Sequence, residues 1–195
     1  MKAKLNFMAF VCMIAMLAAT TFTSCNKDDD EGGSSDPKDL IGTWKVVSEE
    51  WWEKDSDGDS DHDIEKYDDE SKEWSLFTFK DDGTWYCYSY GTAKEKGFYH
   101  DSGTYTISGN KLVVMQHYSG SANATGSTSI DNFDYTKLTW TDTTIQNDVK
   151  NHNYFDDSDD DDCVTFSVSG STLTITYEET DDGDWYKEVH TFKKQ

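Results

Sequence analysis

Arginine is missing from this chain of 195 residues, so its 17 basic residues other than histidine are all lysines. The chain contains 39 aspartates and glutamates, so its formal net charge is −22. Proteins bind nucleic acid largely by neutralising phosphates with Lys and Arg, and this balance therefore excludes nucleic acid as a partner. The same charge repels anionic membrane surfaces. Cations, neutral glycans and small apolar molecules remain as partners.

Motifs that carry catalysis are also missing. The chain has no Gly-x-Ser-x-Gly phrase, no P-loop and no glycine-rich dinucleotide fingerprint. The carboxylates are too numerous for the sequence to single out a catalytic pair. No His-x-His spacing, which would suggest zinc, links the five histidines His62, His100, His117, His152 and His190. We therefore predict a non-catalytic protein that requires no cofactor.

Long apolar runs are scarce, and the run at the N-terminus, Phe7 to Ala19, is shorter than the about 20 residues that span a bilayer. Lys2 and Lys4 precede it, which is typical of a signal peptide and predicts one over residues 1–24. The following phrase, Phe22-Thr23-Ser24-Cys25, resembles a lipobox. That resemblance implies that Cys25 is lipidated and becomes the first residue after cleavage. The alternative is an ordinary signal peptide followed by a chance cysteine.

The residues after Cys25 are strongly acidic. Asn26-Lys27-Asp28-Asp29-Asp30-Glu31 resembles the export signal of surface lipoproteins of the Bacteroidota, which implies an outer-membrane protein facing the cell exterior. The alternative is a solvated acidic tether. Glycines and serines continue this segment to Pro37, the only proline, and we predict a flexible tether over residues 25–38. Removal of the signal peptide takes two lysines away, so the mature charge is 15 − 39 = −24.

From Leu40 onward the composition is that of strands and turns. Short runs rich in Thr, Val, Ile, Tyr, Trp and Phe alternate with clusters of Gly, Asp, Ser and Asn. Tight hairpin signals such as Asp81-Asp82-Gly83 and Ser169-Gly170-Ser171 join neighbouring runs. The sequence predicts one all-β domain over residues 39–195, an antiparallel up-and-down barrel of eight or nine strands. The predicted strands are Thr43–Trp52, Trp74–Lys80, Thr84–Tyr90, Gly103–Ser108, Lys111–Tyr118, Phe133–Ile145, Cys163–Ser169, Thr172–Glu179 and Trp185–Lys193.

Alternation within these runs predicts which side chains share a face. In the run from Thr84 to Tyr90, one face carries Trp85, Cys87 and Ser89, and the other carries Tyr86, Tyr88 and Tyr90. In the run from Thr172 to Glu179, Leu173, Ile175 and Tyr177 lie opposite the threonines. One face of each strand is thus expected to cover a core.

Several short sequence motifs of this chain are similar to motifs of lipocalin-like lipoproteins of the Bacteroidota. The opening Leu40–Val46 contains Gly42-Thr43-Trp44, which resembles the Gly-x-Trp motif of lipocalin-like domains. The resemblance implies a lipocalin-like barrel whose bottom is closed by Trp44. Lipocalins often pack an arginine near the last strand over this tryptophan. Because the chain has no arginine, either Lys187 or Lys193 replaces it or the contact is absent.

Aromatic residues are the candidates for ligand contact. We predict that they line a pocket for a small apolar or amphipathic ligand at the open end of the barrel. The alternative is a filled barrel in which the aromatics form the core, while loops contact a glycan, a partner subunit or a host molecule. The oligomeric state stays open. The candidate residues are Trp44, Trp85, Tyr86, Tyr88, Trp140 and Trp185.

The acidic segment Glu53–Glu73 is the candidate metal site. It carries carboxylates at alternate positions, with Gly58 among them, and calcium takes six to eight oxygen ligands from such loops. The match to an EF-hand is poor, because the twelfth position counted from Glu53 is Ile64. The alternative is a solvated loop between strands. The predicted calcium ligands are Asp55, Asp57, Asp59, Asp61 and Asp63.

Two covalent modifications are also candidates. Cys87 and Cys163 remain after cleavage, and an exported protein meets compartments where a disulfide forms. The spacing alone leaves two unpaired thiols as an equal alternative. Asp142-Thr143-Thr144 resembles the acceptor for O-glycosylation in exported Bacteroidota proteins, which implies Thr143 as the modified residue.

Overall fold

The computed structural model of the chain describes residues 33–67, 72–91, 97–123, 128–144 and 163–195. The predicted signal peptide, Cys25 and the acidic phrase after it lie outside these residues. The strands are β1 (Gly42–Lys54), β2 (Ser60–Lys66), β3 (Trp74–Phe79), β4 (Thr84–Gly91), β5 (Gly97–Ser108), β6 (Lys111–Asn123), β7 (Thr141–Thr144), β8 (Cys163–Ser169), β9 (Thr172–Asp181) and β10 (Asp184–Lys194). A short helix, α1 (Pro37–Leu40), precedes them, and two 3-10 turns span Ile130–Asn132 and Tyr135–Lys137.

Eight of the described strands form a closed antiparallel barrel. The order is β1-β3-β4-β5-β6-β8-β9-β10, and β10 pairs with β1 to close the circle. Sequence neighbours pair almost throughout, as in an up-and-down meander. Two strands are additional: β2 pairs with residues 48–54 of β1, and β7 pairs with β6. The prediction of an all-β antiparallel barrel is confirmed, and the architecture is compatible with a lipocalin-like fold.

Two predicted segments differ from the structure. The sequence predicts no strand in the acidic segment Glu53–Glu73, but Ser60–Lys66 forms β2, because hydrogen bonds to β1 organise it despite its low strand propensity. The run Phe133–Ile145 was expected to be a strand. Among the described residues of this run only Thr141–Thr144 is a strand, and the segment before it, which includes the 3-10 turn Tyr135–Lys137, packs its aromatic side chains against the outside of the barrel.

The half of the barrel that contains Trp44, which we call the lower half, is filled by a packed apolar core. Trp44 is fully buried at its closed end and donates from Nε1 to the carbonyl of Leu40 at 2.7 Å. Lys194 Nζ lies 4.9 Å from the centre of the Trp44 ring. The cation over this tryptophan is therefore neither Lys187 nor Lys193. The core includes Val46, Phe77, Phe79, Trp85, Cys87, Leu112, Val114, Phe166, Leu173, Ile175 and Phe192.

The N-terminal segment completes the wall of the barrel at this closed end. The pairing of β6 with β8 is limited to Lys111 and Thr165. Below it, Ser34 exchanges two backbone hydrogen bonds with Val168, each 2.7 Å long. The sequence predicts a flexible tether over residues 25–38, but these bonds and the helical turn that begins at Pro37 hold residues 33–38 against the barrel. No helix among the residues described is long and apolar enough to cross a membrane.

A second apolar cluster lies outside the barrel. Trp74, Tyr90, Phe98 and Ala122 project from the outer faces of four strands, and the segment from residue 128 to 140 covers them. Trp74 Nε1 donates to the carbonyl of Thr128 at 2.8 Å. The segment thereby covers the outer face of β3, β4, β5 and β6 at the end of the barrel opposite Trp44.

Candidate functional site

A bulge in β1 determines what faces the interior of the upper barrel. Trp44 and Val46 point inward, so simple alternation would place Glu49 outside. Val47, however, has no partner in β10, because Val46 pairs with Phe192 and Ser48 pairs with Thr191. The extra residue shifts the alternation by one. Glu49 is therefore inside the barrel and fully buried.

Glu49 meets a histidine and a second glutamate from β10. His190 Nδ1 lies 3.0 Å from Glu49 Oε1, and His190 Nε2 lies 3.0 Å from Glu188 Oε1. All three side chains are buried. Because both ring nitrogens face carboxylate oxygens, the imidazole is held as the doubly protonated cation between two acceptors. We call Glu49, His190 and Glu188 the interior triad.

Two tyrosines extend the interior triad at its ends. Tyr67 OH donates to Glu49 Oε2 at 3.4 Å, and Tyr186 OH donates to Glu188 Oε2 at 3.0 Å. Each carboxylate thus accepts bonds on both oxygens. A buried polar network stabilises a fold only when its members are satisfied, and this one forms a continuous chain from phenol to phenol.

The pKa values of the triad follow from burial and from these bonds. Burial raises the pKa of Glu49 to about 7, although its bond to His190 works in the opposite direction. Burial by itself lowers the pKa of His190, but the hydrogen bonds to Glu188 and Glu49 outweigh it and raise the value to about 10. Burial likewise raises the pKa of Glu188, yet the bond to His190 dominates and holds it below its usual range. Among the three members of the triad, the pKa of Glu49 lies nearest to neutral pH.

The inner face above the triad is acidic and tyrosine-rich. Glu53 and Glu65 lie on the face of Glu49 by strand alternation and pairing, and Glu179 lies across on β9. Tyr177 OH donates to Glu179, and the rings of Tyr177 and Tyr186 lie 6.1 Å apart. No lysine occupies an inner position of the described strands at this level. The interior therefore changes from apolar at the closed end to anionic at the open end.

Metal-ligating atoms come together within the triad. One ligand atom each from Glu49, Glu188 and His190 lies within 4.8 Å of the others. The two carboxylates bond to opposite nitrogens of the ring. Each nitrogen therefore carries a proton that it donates to a carboxylate, and neither has a lone pair available for a metal ion. A metal ion on Nε2 would have to displace the proton shared with Glu188, with Glu49 as the partner that orients the ring.

The acidic segment predicted to bind calcium is a hairpin. Asp55 to Asp59 form its turn, in which Asp55 N–H donates to the carbonyl of Asp59 at 2.8 Å, and Asp61 and Asp63 lie on β2. No three of these carboxylates form a close ligand group within the described ranges. Calcium binding at this hairpin stays a prediction.

The six predicted ligand-contact aromatics do not share one place. Trp44 and Trp85 lie in the apolar core, and Trp185 is half-buried on the outer face, where Nε1 donates to Glu178 at 2.9 Å. Tyr86, Tyr88 and Trp140 come together outside the barrel. The rings of Tyr86 and Tyr88 lie 5.4 Å apart, and those of Tyr88 and Trp140 lie 5.7 Å apart.

The predicted modification sites are placed as follows. Cys87 is buried in the core, and Cys163 begins β8, but its side chain lies outside what the structure describes. The disulfide stays a prediction. Thr143 is exposed on β7 opposite Ser119, and its glycosylation also stays a prediction.

Sequence reasoning did not find the interior triad. Glu188 and His190 are two residues apart, which places both on one face of a strand, and this was the available signal. Glu49 is hidden by the bulge. Comparison with known protein families, curated proteins and solved structures finds no match.

Proposed function

We propose that this chain is a lipid-anchored, non-catalytic binding protein on the outer membrane, exposed to the cell exterior. Its barrel takes a small amphipathic ligand at the open end, above the interior triad. The resemblance of the N-terminus to a lipobox and to a surface-export signal supports the anchor and the location. The division of the interior supports the ligand.

One observation carries the ligand class: the upper inner face holds carboxylates and tyrosines but no lysine among its described positions. An anionic head would meet repulsion from Glu53, Glu65 and Glu179. A cationic head would gain Coulomb attraction in a partly buried place, where charges are less screened than at the surface. The ligand is therefore an amphiphile with a cationic group.

The test uses three dodecyl amphiphiles below their micelle concentrations: the trimethylammonium, the maltoside and the sulfate. The full-length chain with Cys25→Ala is titrated, and its tryptophan fluorescence is followed. We expect the trimethylammonium compound to bind more tightly than the maltoside, and the sulfate to bind least. Equal affinity for all three compounds would reject the cationic class.

A matched pair of variants separates local from general charge effects. Glu179→Gln removes one inner carboxylate, and Glu50→Gln removes one from the outer face, where it contacts His62 at 2.8 Å. Only Glu179→Gln should weaken binding of the trimethylammonium compound. An equal loss in both variants would mean that the ligand senses net charge and not the interior.

A second candidate function is contact with a glycan or another surface partner through the outside of the barrel. The observation that favours it is the clustering of Tyr86, Tyr88 and Trp140 on the outer wall.

A further inference from the structure

We propose that the outer wall formed by β4, β5 and β6 binds a neutral sugar in a depression between Tyr86 and Tyr118. This site lies on the opposite side of the wall from the interior triad. It rests on the second candidate function, contact with a glycan, and does not depend on the interior ligand.

Strand register places two tyrosines on either side of a small residue. Tyr86 pairs with Ser102, and Ser102 pairs with Tyr118, so the three side chains lie in one row on the outer face. Neighbouring strands are about 4.8 Å apart, and the backbones of the two tyrosines are therefore roughly 10 Å apart. The serine between them carries only a short hydroxyl side chain. The row thus has two aromatic walls and a low polar floor.

The walls are accessible to solvent. Tyr118 is 47% exposed, and Tyr135, from the segment that covers the outer cluster, is 52% exposed. Tyr135 lies parallel to Tyr88, with ring centres 5.3 Å apart, and Tyr88 contacts Tyr86. Tyr86, Tyr88 and Tyr135 therefore form one continuous aromatic wall. Burial raises the pKa of Tyr88 to about 12, so its phenol is a neutral donor at physiological pH.

The next row supplies hydrogen-bonding groups at one end of the depression. It runs from Tyr88 through His100 and Gly120 to Asp142. A Cβ atom at Gly120 would lie 2.2 Å from Asp142 Oδ1, so the glycine lets this carboxylate reach across the strand. Asp142 Oδ1 lies 3.3 Å from His100 Nδ1 without the geometry of a hydrogen bond. The Asp142 side chain is 52% exposed and can accept bonds from hydroxyl groups.

The chemistry of these groups fits a sugar better than other small ligands. Aromatic rings cover the apolar C–H faces of a pyranose, while a carboxylate and a serine hydroxyl satisfy its hydroxyl groups. Lys80 Nζ already lies 5.1 Å from the centre of the Tyr86 ring, which disfavours a cationic ligand there. The net charge of −22 disfavours an anionic one. A neutral saccharide is the class that remains.

Affinity electrophoresis tests this proposal directly. The full-length chain with Cys25→Ala is run in native gels that contain hydroxyethyl cellulose, dextran or pullulan, and in a gel that contains anionic polygalacturonate. We expect slower migration in at least one neutral gel and unchanged migration in polygalacturonate. No slowing in any neutral gel, or equal slowing in polygalacturonate, would overturn the proposal.

Variants then locate the binding. Tyr118→Ala removes an exposed ring, so the fold is retained, and we expect the apparent affinity to fall at least about tenfold. Ser102→Gln fills the floor of the depression and should also restore free migration.

Trp52→Ala is the control, because Trp52 stacks on His62 on another part of the barrel, with ring centres 5.0 Å apart. Thermal midpoints confirm that each variant is folded. Retained slowing in both Tyr118→Ala and Ser102→Gln, or an equal loss in Trp52→Ala, would place the binding elsewhere.

Discussion

His190 Nδ1 lies 3.0 Å from Glu49 Oε1, although 141 positions separate the two residues along the chain. The contact joins the first and last strands at the place where the barrel closes. A hydrogen-bonded ion pair at this seam ties the stability of the closed barrel to the protonation of its members.

Stability should fall as the pH rises from about 5 to 10. Glu49 has a pKa raised from 4.5 to about 7, so its contribution is complete below 4.5 and is lost as the pH rises through 7. His190 has a pKa raised from 6.5 to about 10, so its contribution is lost between those values. For Glu188, whose pKa is lowered, the contribution is present at neutral pH and is lost only in acid. Both raised groups therefore act in the same direction above pH 5.

Urea unfolding at pH 6, 7.5 and 9 measures this trend. In Glu49→Gln the decline between pH 6 and 7.5 should become shallower, and a smaller decline toward pH 9 should remain through the bond between His190 and Glu188. Asp131→Asn, which removes an exposed carboxylate on a 3-10 turn outside the barrel, is the control and should keep the wild-type profile. A wild-type stability that rises over this range would contradict the assigned protonation states.

His190→Leu should be strongly destabilising at alkaline pH. It leaves the carboxylates of Glu49 and Glu188 buried without their cation, and breaking a buried pair in this way costs about 3–5 kcal/mol. The loss should be smaller at pH 5, where Glu49 protonates. Replacing all three members by leucine or methionine should recover much of the loss, because it removes the unpaired charges as well. If His190→Leu costs as much at pH 5 as at pH 9, the loss comes from packing.

Local patterns predicted much of the barrel. The alternation of Trp85, Cys87 and Ser89 with Tyr86 and Tyr88 is confirmed, because the pleat of a strand is a local property. The boundaries of the hairpin formed by β8 and β9 are also close to the prediction. In that hairpin, Gly170 has a φ of +60°, which is the conformation that its turn requires.

Features that depend on long-range pairing were not predictable. The bulge at Val47, which places Glu49 inside, depends on the register between β1 and β10 and has no marker in the sequence. The sequence of β2 is typical of a solvated loop, because the strand forms through its pairing with β1 and not through its own propensity. The sequence predicts a strand that includes Phe133 and Tyr135, whereas Phe133 caps one 3-10 turn, Tyr135 begins the next, and both rings pack onto the outer wall.

Trp44→Ala should cost about 3–5 kcal/mol in urea unfolding, the range for truncating a buried aromatic side chain. The ring is fully buried, and its Nε1 hydrogen bond holds Leu40 at the closed end. Trp52→Ala is the matched control, since that ring is only half-buried. Equal losses in the two variants would show that Trp44 does not close the barrel.

Gly103→Ala should also destabilise the protein, by about 1–3 kcal/mol or more. A Cβ atom at this position would lie 1.8 Å from the carbonyl oxygen of Met115, a backbone atom that cannot move without disturbing β6. The same carbonyl accepts a 3.0 Å bond from Trp85 Nε1. Gly58→Ala is the contrasting variant, because its Cβ would meet nothing within 4 Å and its φ of +99° leaves only local strain. Thermal midpoints of the two variants decide whether the contact or the loss of glycine flexibility matters.

The closed end of the barrel should face the membrane. Ser34 is bound to Val168 at that end, and eight peptide units separate Cys25 from Gly33. Eight peptide units reach at most about 28 Å even when fully extended, so a lipid on Cys25 would keep the closed end near the bilayer and would leave the anionic open end farther away. Dyes on Asp82→Cys, beside the closed end, and Asp57→Cys, in the hairpin turn between β1 and β2, report the distance by energy transfer to a rhodamine lipid in vesicles. Both variants also carry Cys87→Ala and Cys163→Ser, so that the dye reacts with the introduced cysteine. Transfer should be stronger from residue 82 than from residue 57. Equal transfer from both would mean that the barrel has no fixed orientation, and loss of vesicle binding is expected in the Cys25→Ala control if the lipid is the anchor.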